Sequence, residues 1–496
     1  MSFLGIVRGA LDAPAPVAPV ATREEGRSPG AFLAGCLLVG VLAAGVRLAR
    51  LGEWSLETDE AFTIHDAIHA LGRDDGARLR FPVGYAFERL VLGAKGPVTE
   101  FEARIGPALV GALTVPLAAL AFSPVVGSGA ALLGAAGLAI APWHVYWSQF
   151  ARYYALLVLL VVAALGFLFL GLDRARLRFF LPGGTLLAVA VATHPSAGLL
   201  GVSLIPAPLF FAGLSGFRGK VRFTRVRTGA LVATGLVLGV LLVPLLRDTF
   251  LSYRSNPTKS PSPALFLATV AFWARPALLA AAAFAALEGI RVRHRGALFL
   301  TLASFGPIGG GLLASFFARA NAQYIVYTLP ALITLVAWGA LEVARAGRRL
   351  LAAGILAAVA ADLLGETVLY FGPHAGHRAS WREACAAVRE GARDGDAIAS
   401  TQAPIVEFYL NPGSSRLREP TRAFWLSAYT LEEFERGAPE RGRLWYIVND
   451  ADLDDWPGPL RTRFRARLRE RARLVAEWPR RIVTDDLGVK VYLEEP

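Results

Sequence analysis

An adjacent acidic pair, Asp59-Glu60, follows the first long apolar run of the chain, within Trp54-Ser55-Leu56-Glu57-Thr58-Asp59-Glu60-Ala61. A carboxylate just past a membrane helix is near enough to a bilayer to meet a lipid head group, yet far enough out to stay ionised. It suits a general base toward a lipid-borne substrate, assistance typically worth about 10²–10⁴-fold in rate. Asp and Glu also favour the first turn of a helix, where they complement its dipole, so the pair alone fits a solvated or capping role equally well. Two adjacent acids cannot flank a glycosidic bond at the roughly 5–9 Å separation that hydrolases use. The pair therefore does not support a glycosidase.

Candidate cations accompany the acids. Arg152 carries a guanidinium fork that matches phosphate oxygens, and an arginine at a helix end also anchors that end by snorkelling. Arg104 opens the second apolar run, with Glu100 and Glu102 at hand for ordinary pairing. Tyr153 and Tyr154 are candidates for interfacial aromatics. Arg254 and Lys259 make the segment 248–263 basic, which suits closure over an anionic head group or a plain surface loop. Arg319, beside Asn321, presents the same alternatives. His194 sits in Thr193-His194-Pro195-Ser196, where proline by itself explains a helix break. His65 and His69 share a helix face near Asp59 and Asp66, but two histidines without an HExxH acid are a weak metal set. No cofactor is expected, with a divalent metal left open. Seven arginines at every second position from Arg461 to Arg473 spread around a helix, which suits contact with anionic lipid or glycan, or simple solvation.

The elements that must position these residues are membrane helices. Of the 496 residues, 54% are hydrophobic and only 18% charged, and the mean hydropathy is +0.47. Recurrent apolar runs of about 20 residues are long enough to cross roughly 30 Å of hydrocarbon. The net charge of +12 would suggest nucleic acid in a soluble protein. Here the arginines cluster between apolar runs, which reads as membrane orientation and not as a nucleic-acid partner. The Arg, Ala and Gly bias points to a GC-rich bacterial genome and so to a bacterial cytoplasmic membrane.

About eleven spans are expected, near 31–51, 103–122, 125–147, 153–172, 179–193, 196–214, 228–247, 264–289, 296–318, 322–343 and 350–371. With that count the arginine-rich loops fall on one side, and positive loops stay in the cytoplasm. The N-terminus is then cytoplasmic, and the segments 52–102, 148–152, 193–196, 248–263, 319–321 and 372–496 are external. Residues 1–30, rich in Pro and Ala, read as a disordered cytosolic tail ahead of an uncleaved anchor. The expected domains are that tail, a transmembrane domain over 31–371, and an external soluble domain over 372–496. In the last, an amphipathic helix at 380–393, strands near 397–399, 444–448 and 489–493, and a basic helix at 459–474 predict a small α/β fold. Helices are also expected at 59–71 and 85–92 in the long first loop. The two cysteines, Cys36 and Cys385, imply no disulfide framework.

Several segments, in order, resemble the GT-C superfamily of membrane glycosyltransferases. Leu56-Glu57-Thr58-Asp59-Glu60-Ala61 is similar to the "W-x-D-E-A" start of its first external loop, and Phe81-Pro82-Val83-Gly84-Tyr85 to the proline-tyrosine stretch that follows. Arg104-Ile105-Gly106-Pro107-Ala108-Leu109 resembles the opening of its second helix. The closest match is Pro142-Trp143-His144-Val145-Tyr146-Trp147-Ser148-Gln149-Phe150-Ala151-Arg152-Tyr153-Tyr154-Ala155-Leu156. Thr193-His194 and Gln323-Tyr324…Pro330 sit where the superfamily has "T-H" and "R-Y-L…P". The likeness runs over roughly 50 to 340. It resembles the group of dolichyl-phosphate-mannose protein mannosyltransferases and aminoarabinose-transferase-like enzymes.

The resemblance implies transfer of a sugar, with inversion, from a polyprenyl-phosphate donor to a lipid, glycan or protein acceptor outside the cytoplasmic membrane. Asp59 takes the base role and Glu60 a supporting one, such as orienting the acceptor. Arg152, Arg104, Tyr153, Arg254, Lys259 and Arg319 become candidates for the donor phosphate, and His194 and Tyr324 for substrate. Phe150 departs from the pattern where an acid is usual, Gln323 where Arg is common, and Gly84 where an apolar residue is common, which implies a divergent bacterial member. Flippases and transporters of lipid-linked glycans are the main alternative. They place polar groups in broken helices within internal repeats, and the sequence has no repeat.

Overall fold

The computed structural model describes residues 28–69, 81–93, 98–174, 176–204, 247, 261–417, 419–437, 442–482 and 486–496. Among them six helices are long and apolar enough to cross a membrane: Pro29–Leu48, Glu100–Val126, Tyr154–Arg174, Arg295–Ser315, Ala322–Arg345 and Arg349–Phe371. Two bent helix pairs raise the count to at most eight, against the expected eleven or so. The expected span 228–247 lies outside the described residues except at Arg247, as does the latter part of 196–214. The chain is a multi-pass membrane protein, and it divides into two compact units.

The first unit takes in residues 1–44, 111–144 and 156–364. Its central helix, Leu329–Arg345, is buried along almost its whole length. Small residues let its neighbours approach closely, as is usual where helices pack without water. A Cβ on Gly134 would lie 2.9 Å from the Thr334 backbone, and one on Gly339 would lie 2.5 Å from the Ala285 side chain. Two expected spans are broken. The run expected at 125–147 forms Ser128–Ala139 and Pro142–Ser148, bent by 62°, and the run expected at 264–289 forms Pro263–Ala274 and Pro276–Arg291, bent by 92°. Pro276 has no N–H to continue the ladder, and Arg275 takes a left-handed φ of 71°. The Arg275 side chain then pairs with Asp362 at 2.8 Å. The expected break at His194-Pro195 is present: the helix Leu177–Thr193 stops at His194 and a short 3₁₀ turn begins at Pro195.

The second unit takes in residues 45–110, 145–155 and 365–496. Its sheet has five strands: β1 Ala397–Ser400, β2 Phe424–Trp425, β3 Leu444–Asn449, β4 Ala472–Trp478 and β5 Val489–Glu494. The order is β2-β1-β3-β5-β4. β1 is parallel to β2 and β3, whereas β5 is antiparallel to β3 and β4. Central β3 is buried throughout, and its side chains alternate between faces. Trp445 and Ile447 join a core with Trp381, Cys385 and Val388 of the helix Trp381–Gly391. Tyr446 and Val448 join Phe434, Phe464 and Leu468 on the other face. The expected helix 459–474 ends at Arg471, and Ala472 begins β4.

The first of these cores also holds Leu56, Ala61 and Ile64 from the start of the first long loop. The loop forms the helices Thr58–His69 and Pro82–Leu92. Segment 372–496 thus shares its interior with the stretch that carries the acidic pair. That shared interior gives the acids a fixed platform.

Candidate functional site

The helix Thr58–His69 begins with half of a capping box. Glu60 reaches back to accept the Glu57 backbone N–H at 2.9 Å, as an acid at the third helical position does. The same carboxylate accepts the Ala151 N–H at 2.8 Å and two N–H groups of Arg104, each at 2.8 Å. Arg104 gives its remaining donors to the carbonyls of Leu51, Trp54 and Ser55. Both side chains are fully buried. Burial alone would push the Glu60 carboxyl up, but Arg104 and Arg378 outweigh it and hold it at about 2. A buried charge pair so fully engaged has no hydrogen-bonding capacity left for a ligand. The structure thus places Glu60, expected beside the acceptor, and Arg104, expected at the donor phosphate, in one buried ion pair. Together they tie the first loop to the second long helix and to residue 151.

Asp59 emerges from the opposite side of the same turn. Its side chain is 58% exposed and forms an ion pair with Arg152, itself 15% exposed. The pairing follows from Glu60, because the Ala151 N–H it holds is next to Arg152 in the chain. The Arg152 guanidinium lies over the rings of Tyr153 and Tyr154, 5.7 and 5.8 Å from their centroids. Its Nε has no hydrogen-bond partner among the described residues. Burial alone would weaken its basicity, but Asp59 and the neighbouring tyrosines more than reverse this and hold it charged.

Tyr153 is not a surface aromatic. It is fully buried, stacked on Phe81 at 5.4 Å and pressed against Gly84, where a Cβ would come within 2.5 Å of the ring. The glycine that departs from the family pattern is the one that makes room for Tyr153. Tyr154 is also buried, 4.3 Å from the ring of Trp147. Both tyrosines therefore take part in packing, and Tyr153, expected at the donor, is packed between Phe81 and Gly84. Phe150 likewise has a defined use: the Arg378 guanidinium sits over it and over Tyr146, each at 4.5 Å.

Three ionisable groups near the pair were not singled out from sequence. Arg378 is buried, and its Nε lies 3.5 Å from Glu60. Glu57 accepts the Ala379 N–H at 3.1 Å, and its packed surroundings push its carboxyl up to about 7. Glu88, on the helix Pro82–Leu92, is fully buried, with no hydrogen-bond partner for either oxygen among the described residues. Burial pushes its carboxyl up to about 8, against the pull of Arg152. A second carboxyl near Arg152 thus comes from Glu88. Its signal was an acid on the inward face of an otherwise amphipathic helix.

In the other unit, His194 and Tyr324 are brought together, their rings stacked at 5.4 Å. His194 Nδ1 contacts the Ser196 hydroxyl at 2.7 Å, and the Tyr327 hydroxyl donates to the Ser196 carbonyl. Arg319 lies in the connection ahead of the 3₁₀ turn Ala322–Thr328. Arg254 and Lys259 lie outside the described residues. His65 is engaged by Asp66 and by the Ser415 carbonyl, both at 3.0 Å. Among the described residues, the side chains whose ligand atoms converge closely enough to hold a metal ion are elsewhere, in Glu366, His374 and His377.

No protein-family model matches the sequence, and no curated protein matches it. Solved structures do. ArnT from Cupriavidus metallidurans in the apo state, an aminoarabinose transferase, aligns with a TM-score of 0.55 at 17% identity, covering 93% of this chain and 98% of that one. The same protein bound to undecaprenyl phosphate aligns with a TM-score of 0.52, also at 17% identity, covering 93% and 97%. The archaeal oligosaccharyltransferase AglB from Archaeoglobus fulgidus, in complex with an inhibitory peptide and a dolichol-phosphate, aligns with a TM-score of 0.51 at 12% identity, covering 84% and 69%. Both proteins are GT-C members. The fold of this chain is the GT-C fold that the ordered motifs implied.

Proposed function

We propose that this chain is an inverting glycosyltransferase. It moves a sugar from a polyprenyl-phosphate donor to a lipid, glycan or protein acceptor on the external face of a bacterial cytoplasmic membrane. The observation that carries the reading is the exposed Asp59–Arg152 pair, built on the buried Glu60–Arg104 pair. Similar folds with lipid phosphates bound, undecaprenyl phosphate in ArnT and dolichol-phosphate in AglB, support the donor class.

In this reading the acceptor hydroxyl or amine attacks the anomeric carbon while the bond to the lipid phosphate breaks. Asp59 takes the acceptor proton. Charge builds on the departing phosphate, and Arg152, already fixed and charged, meets it without reorganisation. Donor binding exchanges the Asp59–Arg152 contact for an Arg152–phosphate contact and frees the carboxylate. His194 and Tyr324 are proposed to contact substrate, and Arg254, Lys259 and Arg319 to supply further positive charge to the donor.

A flippase or transporter of lipid-linked glycan is the second reading, and the polar helix break at Arg275 with its Asp362 partner is the feature that fits it. The two separate in cells lacking the protein and complemented with wild type or Asp59→Asn. Restoration of envelope glycans or glycoproteins by wild type but not by Asp59→Asn, at equal membrane abundance, supports transfer. Restoration by both variants rules out Asp59 chemistry.

A further inference from the structure

Glu366, His374 and His377 converge at the end of the long helix Arg349–Phe371 and the turn that follows it. Glu366 Oε1 lies 3.2 Å from His374 Nδ1 and 3.3 Å from His377 Nε2, and the two nitrogens lie 3.2 Å apart. The three atoms form a nearly equilateral triangle. Zinc takes histidine nitrogen at roughly 2.0–2.1 Å and carboxylate oxygen at about 2.0–2.2 Å in tetrahedral geometry, which puts neighbouring ligand atoms roughly 3.3–3.4 Å apart. The triangle therefore has the dimensions of one face of a zinc tetrahedron before any ion is considered.

The surroundings fit a bound cation. The Glu366 side chain is 5% exposed and that of His377 2%, whereas His374 keeps 16%. The turn itself is held in an unusual shape. Ala375, Gly376 and His377 have successive positive φ values of 41°, 68° and 53°, and a Cβ on Gly376 would meet the Trp54 ring at 2.2 Å. The His377 ring is further bracketed by Tyr370 and Tyr146, at 5.4 and 6.0 Å. Left-handed non-glycine residues cost energy and persist where the surroundings over-determine them.

We propose that Glu366, His374 and His377 bind one Zn²⁺-class ion, a borderline cation that suits imidazole with carboxylate, with a water or exogenous ligand in the fourth position. The ion acts as a clasp. His377 is followed at once by Arg378, whose guanidinium reaches Glu60 and donates to the Gly376 and Gln149 carbonyls. Fixing the turn fixes Arg378, and through it the buried frame that carries Asp59. The role is structural, and it holds whatever reaction the protein performs.

The test uses the full chain, purified in detergent on a tag free of histidine, stripped with chelator and titrated with Zn²⁺ alone. The wild type is expected to retain about one zinc per chain after gel filtration and to unfold at a higher temperature with zinc than without, because binding to the folded state alone stabilises it. Glu366→Gln and the double variant His374→Gln/His377→Gln are expected to retain at least tenfold less, while His65→Gln/His69→Gln retains as much as wild type. The clasp is overturned if the wild type retains no stoichiometric zinc and shows no thermal shift. It is equally overturned if loss of zinc follows the His65/His69 variant. It is overturned too if folded Glu366→Gln and the folded double variant retain as much zinc as wild type, and none of these readouts needs an assay of sugar transfer.

Discussion

Asp59 and Glu60 are neighbours in the chain and belong to two different ion pairs: Asp59 with Arg152, half in solvent, and Glu60 with Arg104, wholly buried. The pairs are linked because Glu60 also holds the Ala151 N–H, one residue before Arg152. The inner pair sets where the outer pair stands. An adjacent acidic dipeptide at the start of a helix does this naturally, since consecutive helical side chains point about 100° apart.

Removing the outer carboxylate should cost activity without costing structure. Asp59→Asn is expected to leave membrane abundance and thermal unfolding near wild type and to lower sugar transfer by about 10²–10⁴-fold, the usual value of a positioned base. Arg152→Ala is expected to weaken donor binding, and Arg152→Lys to restore part of it, since a lysine keeps the charge but not the fork. Transfer assays with a polyprenyl-phosphate sugar, alongside donor titrations, check this. Undiminished transfer by Asp59→Asn would remove it from the chemistry.

The inner pair should behave in the opposite way. Glu60→Gln or Arg104→Ala leaves a buried charge uncompensated, which typically costs about 3–5 kcal/mol. Both variants are expected to show lower folded yield and a lower unfolding midpoint in detergent, with activity falling in proportion to folded protein. A variant with wild-type stability and no activity would instead return Glu60 or Arg104 to the reacting groups.

Gly84 tests the wall of the site. A Cβ there would sit 2.5 Å from the Tyr153 ring, and that ring is wedged against Phe81, so it has little room to retreat. Gly84→Ala is expected to destabilise by about 1–3 kcal/mol, the usual range for overpacking. Gly84→Ala/Tyr153→Phe should recover little, because the clash is with ring carbons and not with the hydroxyl. Thermal unfolding of the single and double variants measures both effects.

What could be read from the residues, and what could not, follows from the range of the interactions. The helix Trp381–Gly391 and the strands β1, β3 and β5 carry their periodicity within a few residues and lie close to their expected positions. β4 was hidden because the run Arg469-Glu470-Arg471-Ala472-Arg473-Leu474 has no local break, and the switch from helix to strand depends on pairing with β5. Arg104 was matched with Glu100 or Glu102 because those were near in sequence. Its partner is Glu60, 44 residues away, while Glu100 takes Arg382. The helix break at Arg275 had a local signal in Pro276, but the apolar run around it reads as continuous. Glu366 lies in an apolar run, and its contacts with His374 and His377 depend on the turn that follows the helix.

Glu88 gives the pH dependence. Its carboxyl is raised from an ordinary value of 4.5 to about 8 by burial, so between those limits the folded state binds a proton that the unfolded state has lost. Stability then falls as pH rises. The contribution of the protonated group is fully present below about pH 4.5, declines through the window, and is gone once pH passes about 8. Glu88→Gln keeps a neutral side chain of the same shape and removes the titration. The variant is therefore expected to match wild type near pH 5 and to exceed it in unfolding temperature at pH 8 and above, with a flatter profile between. Thermal unfolding across pH 5 to 9 for the two proteins checks this. Parallel profiles would mean that Glu88 is ionised in the folded protein and that its charge is met by Arg152.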